Sequence, residues 1–309
     1  MSKILVSEYL PDEYLELLRT LHDVEYDPDL CTDRNRLLGE MSGVEALFTR
    51  NRTRVDHELL ASAPDLRVIG RLGVGLDNID MNGCELAGVK VISATSENSV
   101  SVAEYVIGAM LVLVRGVYGM TPSMIAGEWP RQGHAFGHEL MGKTMGLVGY
   151  GSIARQVATR AAGLGMEILA HDPFVPADDA AWGPVLGVDF ESLLASSDVV
   201  SVHVPLSDDT RNLIDAPALG RMKPTAVLIN TSRGGIVDET ALADALLDRK
   251  LGGAALDVFA SEPLGPKPAA VFAAVPNLLL TPHVAGNTRE SVDRVARTIV
   301  EKVMTALAG

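Results

Sequence analysis

The chain has 309 residues, 47% hydrophobic and 21% charged, and a chain of this length and composition typically forms about two globular domains. Its 26 basic and 40 acidic residues give a net charge of −14, and this charge repels nucleic-acid phosphates and anionic lipids. No apolar run of about 18 residues occurs, and the N-terminal segment lacks a signal-peptide pattern. We therefore predict a cytoplasmic protein that binds neither nucleic acid nor membranes.

The two cysteines, Cys31 and Cys84, stand in unlike contexts, and no CxxC pair or Cys/His cluster accompanies them. We predict a packing role for both rather than a disulfide or a zinc site. His134 and His138 are four residues apart, but the segment QGHAFGHE around them contains two glycines and is a poor helix. The sequence thus predicts no metal site.

Ten short apolar runs alternate with longer amphipathic segments, which is the pattern of strands joined by helices in a parallel sheet. The runs are residues 3–7, 44–49, 66–70, 89–93, 144–149, 167–172, 199–204, 226–231, 253–258 and 278–283. Nearly every run is continuously apolar rather than alternating, so helices are expected on both faces of each sheet. The fold class is therefore α/β with doubly wound parallel sheets.

Two long helical segments, 100–118 and 290–307, have no strand of their own, and their placement suggests that the chain passes between domains there. Four predicted strands precede the first segment and six lie between the two. We therefore predict one domain of residues 1–97 plus 285–309 and a second domain, residues 98–284, inserted into it.

A glycine motif, Gly149-Tyr150-Gly151 followed by Ser152, Ile153 and Ala154, lies between a predicted strand and the start of a helix. Such glycines allow a tight turn and a close approach to a pyrophosphate, which the helix N-terminus attracts. Two other G-x-G triplets, at Gly73 and Gly163, lack this setting. The alternative is a turn that uses glycine only for packing.

Asp172 ends the next predicted strand, about 20 residues after the motif, where a carboxylate hydrogen-bonds the ribose of a dinucleotide. A carboxylate repels the 2′-phosphate of NADP, and the following Pro173 and Phe174 offer no cation to bind it. The sequence therefore predicts NAD as the cofactor.

Three ionisable residues, Arg233, Glu262 and His283, stand at or just after the ends of successive predicted strands, the edge where ligands of such sheets bind. Singly they are a loop cation, a turn acid and one histidine among seven. Together they fit hydride transfer between nicotinamide and a 2-hydroxy or 2-oxo acid. His283 would carry the proton and Arg233 would hold the carboxylate. A hydrogen bond from the His283 ring to the Glu262 carboxylate would favour the imidazolium and fix its tautomer.

Motifs along nearly the whole chain resemble the D-isomer-specific 2-hydroxyacid dehydrogenases, in their phosphoglycerate dehydrogenase-like branch. The matching segments are RLGVGLDNID (71–80), NSVSVAEYVIG (98–108), GEWPR (127–131), GLVGYGSIA (146–154), HVPLSDDTRNLI (203–214), NTSRGGIVDE (230–239), DVFASEP (257–263) and TPHVAG (281–286). The resemblance implies a Rossmann NAD domain, residues 98–284, inserted into a flavodoxin-like substrate-binding domain.

The same resemblance implies that Arg233, Glu262 and His283 are the substrate arginine, the assisting acid and the acid/base. It implies substrate contact from the backbone of Val74 and Gly75 and a homodimer formed through the NAD domain. The cofactor-binding residues that follow from the glycine motif and the resemblance are Gly149, Gly151, Ser152, Ile153, Asp172, His203, Pro205, Thr210, Thr231, Asp257 and His283.

Arg50, Arg52 and Arg54 follow a predicted strand in an otherwise acidic protein. The resemblance implies that this loop faces the part of the substrate beyond C2. Guanidinium groups there favour a second anion on C3, so 3-phosphoglycerate and (S)-3-sulfolactate are the leading substrates. The rival interpretation is that these arginines form solvated ion pairs and the enzyme is a hydroxypyruvate or glyoxylate reductase.

Two other functions remain open at this point. Some relatives of the family keep the NAD site and act as corepressors, so an NAD-sensing binding protein is the alternative of another class. An NAD-binding structural subunit would bind the cofactor without turnover. Turnover of any 2-hydroxy acid distinguishes an enzyme from both.

Overall fold

The computed structural model of the chain describes residues 1–131, 137–176 and 179–309. It divides into two units, which we call the terminal unit (residues 1–98 and 287–309) and the inserted unit (residues 99–286). Each unit is built around its own parallel sheet.

The terminal unit contains a five-stranded sheet in the order β2-β1-β3-β4-β5, with every neighbouring pair parallel. The strands are Lys3–Val6 (β1), Asp23–Tyr26 (β2), Val44–Thr49 (β3), Val68–Arg71 (β4) and Lys90–Ser93 (β5). The helices are Asp12–Arg19 (α1), Arg34–Glu40 (α2), His57–Ser62 (α3), Met81–Leu86 (α4) and the C-terminal helix Arg289–Ala308.

Helices cover both faces of this sheet because successive strand residues point to opposite sides. Ile4 and Val6 lie in the core shared with α1 and the C-terminal helix, and Leu5 lies in the core shared with α2, α3 and α4. The continuous apolar runs of the sequence follow from this two-sided burial.

The inserted unit contains a seven-stranded parallel sheet in the order β12-β11-β10-β9-β6-β7-β8. The strands are Thr144–Val148 (β6), Glu167–His171 (β7), Leu186–Gly187 (β8), Val199–Val202 (β9), Val227–Asn230 (β10), Gly253–Leu256 (β11) and Leu278–Leu280 (β12). The helices are Ser99–Arg115 (α5), Thr121–Ile125 (α6), Ser152–Gly163 (α7), Phe190–Ser196 (α8), Ala216–Arg221 (α9), Glu239–Leu247 (α10) and Pro266–Ala269 (α11).

Two cores flank this sheet as well. Leu147 packs with side chains of α5 and α7 on one face, and Val148 packs with α8, α9 and α10 on the other. Among the described residues, no single helix has the length and apolar composition to cross a membrane, and one bent pair, Ser99–Arg115 with Tyr118–Ile125, meets both conditions only when taken together.

Aspartates cap the N-termini of many helices, so part of the acidic excess stabilises the fold. A carboxylate at the N-cap accepts a hydrogen bond from a free N–H of the first turn and interacts favourably with the helix dipole. The N-cap aspartates whose side chains accept such bonds are Asp33, Asp56, Asp80, Asp189, Asp215 and Asp238.

The structure confirms the predicted α/β class with two doubly wound parallel sheets, and it adds two strands that the sequence did not indicate. Strand β2 has the sequence DVEY at a sheet edge and is only partly buried, and β8 is an exposed two-residue strand at the other sheet's edge. Because β2 and β8 are partly or fully exposed, they lack the continuous apolar run that predicts a buried strand.

Each sheet has one switch point, where strand order reverses and ligands of open α/β sheets bind beyond the carboxyl ends of the strands. In the inserted unit the switch point lies between β6 and β9, and in the terminal unit between β1 and β3. These two edges carry the site residues described next.

Candidate active site

The glycine loop of the inserted unit leaves β6 at its switch point. Gly149 has a φ of +90°, and a Cβ there would come within 2.9 Å of the His203 carbonyl oxygen, so only glycine fits. Gly151 is the N-cap of the twelve-residue helix α7, and a Cβ there would meet no atom within 4 Å. Gly151 and Ser152 are exposed, so the start of α7 is open to solvent, and no side chain at its N-cap bonds its N–H groups.

Asp172 lies beside this loop at the end of β7. Its carboxylate accepts hydrogen bonds from the backbone N–H of Tyr150 at 2.8 Å and of Phe174 at 3.0 Å. The loop itself is held to β7 by the Gly149 N–H, which donates to the His171 carbonyl at 2.8 Å. The carboxylate is thus fixed next to the glycines and keeps lone pairs available for ribose hydroxyls.

Two buried polar atoms near the same edge have no hydrogen-bond partner within the described part of the chain. They are Nε2 of His203, which follows β9, and Oγ1 of Thr231, which follows β10. Burial lowers the pKa of the His203 imidazole to about 4, so this ring is neutral at pH 7. Buried polar atoms without partners are costly unless a ligand supplies the bond.

The open first turn of α7, the Asp172 carboxylate and these two polar atoms fit the pyrophosphate, ribose and polar groups of a dinucleotide. Ser152 and Ile153 lie in that first turn, with the Ser152 hydroxyl bonded by Ser99 at 3.1 Å. The Thr210 hydroxyl instead donates to the Pro205 carbonyl at 2.6 Å, so these two residues shape the loop after β9.

Glu262 and His283 form a hydrogen-bonded pair in the loops after β11 and β12. Nδ1 of His283 lies 2.7 Å from Oε2 of Glu262, and the other Glu262 oxygen accepts the Phe259 N–H at 3.0 Å. Burial raises the pKa of the Glu262 carboxyl, but these two hydrogen bonds and the charges of His283 and Arg233 outweigh burial and hold it below its usual range. The carboxylate form is thus favoured beside the imidazole ring.

Arg233 enters the same neighbourhood from the loop after β10. Asn230, at the end of that strand, is 1% exposed, and its side chain makes two hydrogen bonds to the backbone of this loop. Its Nδ2 donates to the Arg233 carbonyl at 2.9 Å, and its Oδ1 accepts the Ser232 N–H at 3.0 Å. A Cβ on Gly234 would lie 1.8 Å from the Phe259 carbonyl oxygen, so glycine lets this loop pack on the one that carries Glu262. The sequence analysis did not single out Asn230.

The turn that carries His283 is fastened to Asp257, which is 1% exposed at the end of β11. The Asp257 carboxylate accepts the N–H groups of Val284 at 2.9 Å and Ala285 at 2.8 Å and the Thr281 hydroxyl at 2.6 Å. The Asp257 carbonyl accepts the His283 N–H at 2.8 Å. The Asp257 side chain therefore orders the turn that carries His283, a set of contacts that its predicted cofactor-binding role did not include.

The three predicted loop arginines of the terminal unit differ in their surroundings. Nη2 of Arg50 bonds the Asn287 side chain at 3.2 Å, and burial lowers the pKa of the Arg50 guanidinium. Arg54 is 78% exposed at its side chain and pairs with Asp56 at 3.4 Å. Throughout the described ranges, no carboxylate lies within ion-pair distance of Arg50 or Arg52.

Val74 and Gly75 follow β4 in the terminal unit, where Val74 packs against the core beneath it.

Among the described residues, no group of three His, Cys, Asp or Glu side chains is placed so that it could hold a metal ion. His134 lies outside those residues. Both cysteines are free, and Cys84 is buried in the core against α4.

A parallel sheet with a glycine loop, an uncapped helix start and an acid on the next strand defines a dinucleotide-binding α/β protein. The family model for the "D-isomer specific 2-hydroxyacid dehydrogenase, NAD binding domain" matches residues 107–285. The chain belongs to this family. It is an NAD-dependent dehydrogenase that acts on small 2-hydroxy acids.

Individual relatives match over most of this chain. It is 54% identical to the (S)-sulfolactate dehydrogenase of Chromohalobacter salexigens over 99% of both chains. It is 39% identical to the D-3-phosphoglycerate dehydrogenase of Archaeoglobus fulgidus, covering 99% of this chain but 58% of that one. The D-lactate dehydrogenase of Aquifex aeolicus, solved with NAD and lactic acid, superposes with a TM-score of 0.87 at 27% identity, covering 100% of this chain and 96% of that one.

Proposed function

We propose that the protein oxidises a 2-hydroxy acid with a second anion on C3, with (S)-3-sulfolactate ahead of 3-phosphoglycerate. The observation that carries this proposal is the pair of arginines, Arg50 and Arg52, that follow β3 at a switch point with no carboxylate at ion-pair distance among the described residues. A guanidinium that is not held in an ion pair is suited to binding a sulfonate or phosphate, and the charge of Glu8 acts on Arg50 without forming such a pair. The full-length similarity to an (S)-sulfolactate dehydrogenase supports the order of the two substrates.

In this proposal Arg233 binds the C1 carboxylate and polarises the C2 oxygen. His283 takes the proton of the C2 hydroxyl on Nε2, because Nδ1 is bonded to Glu262. The Glu262 carboxylate stabilises the imidazolium so formed. NAD, when bound, accepts the hydride that leaves C2. Gly149, Gly151, Asp172, His203 and Thr231 hold the dinucleotide, and Pro205, Thr210 and Asp257 order the loops around it.

The proposal includes a cytoplasmic homodimer. NAD is an intracellular cofactor, which supports the location. The association is supported by four large apolar side chains within residues 118–129 of the inserted unit that are 45% to 83% exposed. They are Tyr118, Met124, Ile125 and Trp129.

The test is NADH formation from (S)-3-sulfolactate, 3-phosphoglycerate, D-glycerate and D-lactate. We expect the two acids with a C3 anion to have the highest kcat/KM. Arg52→Ala is expected to lower kcat/KM for those two by about 10- to 100-fold, the effect of one hydrogen-bonded charge pair, and to leave glycerate turnover nearly unchanged.

Arg54→Ala is the comparison within the same loop, because Arg54 is already paired with Asp56 and solvated. We expect a much smaller loss than in Arg52→Ala. Highest kcat/KM with glycerate or lactate, together with equal and small effects of both substitutions, contradicts the proposal and favours a general 2-oxo acid reductase.

A further inference from the structure

We propose that Glu8 and Asn78 are specificity-positioning residues that fix the backbone of the arginine loop, residues 49–54, so that its guanidinium groups select a substrate with a second anion. The inference rests on the proposed function, because it assigns the cause of that substrate preference. Glu8 lies outside the matching motifs, and Asn78 lies in the segment 71–80 but has no role assigned there.

Glu8 follows β1 and is 5% exposed. Its carboxylate accepts hydrogen bonds from several donors of the arginine loop. Oε1 accepts the Thr49 hydroxyl at 3.0 Å and the N–H groups of Arg50 at 2.8 Å and Thr53 at 2.9 Å, and both oxygens lie 3.3 Å from the Arg52 nitrogen. A buried carboxylate is retained where hydrogen bonds of this number compensate its desolvation.

Asn78 binds the same loop at two of its backbone carbonyl groups. Its Nδ2 donates to the Arg50 carbonyl at 3.0 Å and to the Thr53 carbonyl at 2.6 Å. The Thr53 hydroxyl in turn lies 2.9 Å from the Ser7 hydroxyl. Glu8 therefore binds N–H groups of the loop, Asn78 binds its carbonyl groups, and together they fix its backbone.

This bracing determines which groups can meet a substrate. The N–H groups that would otherwise form an anion-binding nest are taken by Glu8, so a sulfonate or phosphate must be bound by side chains. Because Arg50 and Arg52 project from a fixed backbone, less conformational entropy is lost when they bind the anion.

The position of Glu8 in the sheet is the reason for assigning it a role in substrate specificity and not in stability alone. Strands β1 and β3 are neighbours at the switch point of the terminal unit, so the residues after their carboxyl ends lie side by side where open α/β sheets bind ligands. The brace is thus part of a ligand-binding edge.

The experiment compares KM and kcat for (S)-3-sulfolactate and for D-glycerate in Glu8→Gln and Asn78→Ala. Glu8→Gln keeps the shape and one acceptor oxygen but removes the charge. We expect KM for sulfolactate to rise at least about fivefold in both variants, with KM and kcat for glycerate changed less than about twofold.

Asp189→Ala is the control for a general loss of stability, since it removes the N-cap of α8 in the inserted unit, whereas the arginine loop lies in the terminal unit. It is expected to lower the melting temperature with no change in the sulfolactate-to-glycerate KM ratio. If Glu8→Gln folds poorly, Asn78→Ala gives the same comparison.

The outcomes separate the inference from the function it rests on. A wild-type enzyme that prefers sulfolactate and a KM ratio unmoved in both variants overturn the bracing role alone. A wild-type enzyme without preference for a C3 anion overturns the proposed substrate class and, with it, this inference.

Discussion

Glu262 shows how a single carboxylate is tuned by its position. Burial raises its pKa, whereas the hydrogen bonds from His283 and Phe259 and the charge of Arg233 lower it further than burial raises it. A group whose pKa is lowered on folding stabilises the folded state above its unfolded pKa, and this contribution is lost as the pH falls through the lowered value.

Glu262→Gln is therefore expected to reduce the free energy of unfolding at neutral pH, and the deficit relative to wild type is expected to shrink as the pH falls below about 4.3, the ordinary pKa of a glutamate carboxyl, because the wild-type carboxylate is protonated there. Urea unfolding at a series of pH values measures this difference. The proposed catalytic role adds a loss of kcat, which stability alone does not explain. A deficit that is constant over this pH range contradicts the lowered pKa.

Residue types and spacing could predict that Glu262 and His283 lie together, because both follow neighbouring apolar runs near the end of the sheet, and the expected hydrogen bond is present at 2.7 Å. Glu8 and Asn78 could not be found in this way. A lone acid after a strand gains meaning only when the strand order β2-β1-β3 is known to bring it beside residues 49–54. The roles assigned to the other site residues stay predictions until the variants are measured.

At the scale of elements, the turn after β12 is held against its intrinsic preference. His283 has a φ of +55°, a left-handed conformation that costs a non-glycine residue about 1 kcal/mol or more. The backbone bonds of this turn to Asp257 supply the compensation. A second link runs from Asp257 through the Thr281 hydroxyl to the Tyr105 hydroxyl of α5, each contact 2.6 Å long.

Thr281→Val is expected to destabilise the protein by about 1–3 kcal/mol, because it deprives both Asp257 and the Tyr105 hydroxyl of a partner. We also expect kcat to fall severalfold, since the His283 turn loses one tie. Adding Tyr105→Phe removes the other half of the hydroxyl pair and is expected to recover part of the stability but not of kcat. Recovery of both in the double variant contradicts a positioning role for Asp257 and Thr281.

The sequence predicts the strands that have a continuous apolar run, but it predicts less accurately where those strands end. The predicted run 199–204 continues two residues past β9, and the predicted run 278–283 continues three past β12. Those overrun residues include His203 and His283, which lie in loops where a side chain can face a ligand.

At the scale of the whole molecule, the charge of −14 and the exposed apolar side chains of the inserted unit act in opposite directions. Net charge of one sign keeps copies of a chain apart, so association needs a surface that buries enough apolar area to offset the repulsion. Within residues 118–129, the most exposed large apolar side chains are Ile125, which is 83% exposed at the end of α6, and Trp129, which is 75% exposed.

Ile125→Asp is therefore expected to convert the proposed dimer into a monomer, because it places a carboxylate in an apolar interface and adds to the charge repulsion between copies. Leu86→Asp is the matched control: Leu86 is 91% exposed, lies in the terminal unit and undergoes the same change of type and charge. Light scattering after size exclusion measures the mass of each variant. A monomeric wild type, or equal loss of the dimer in both variants, contradicts association through the inserted unit, whereas loss in Ile125→Asp alone assigns the interface to the segment around α6.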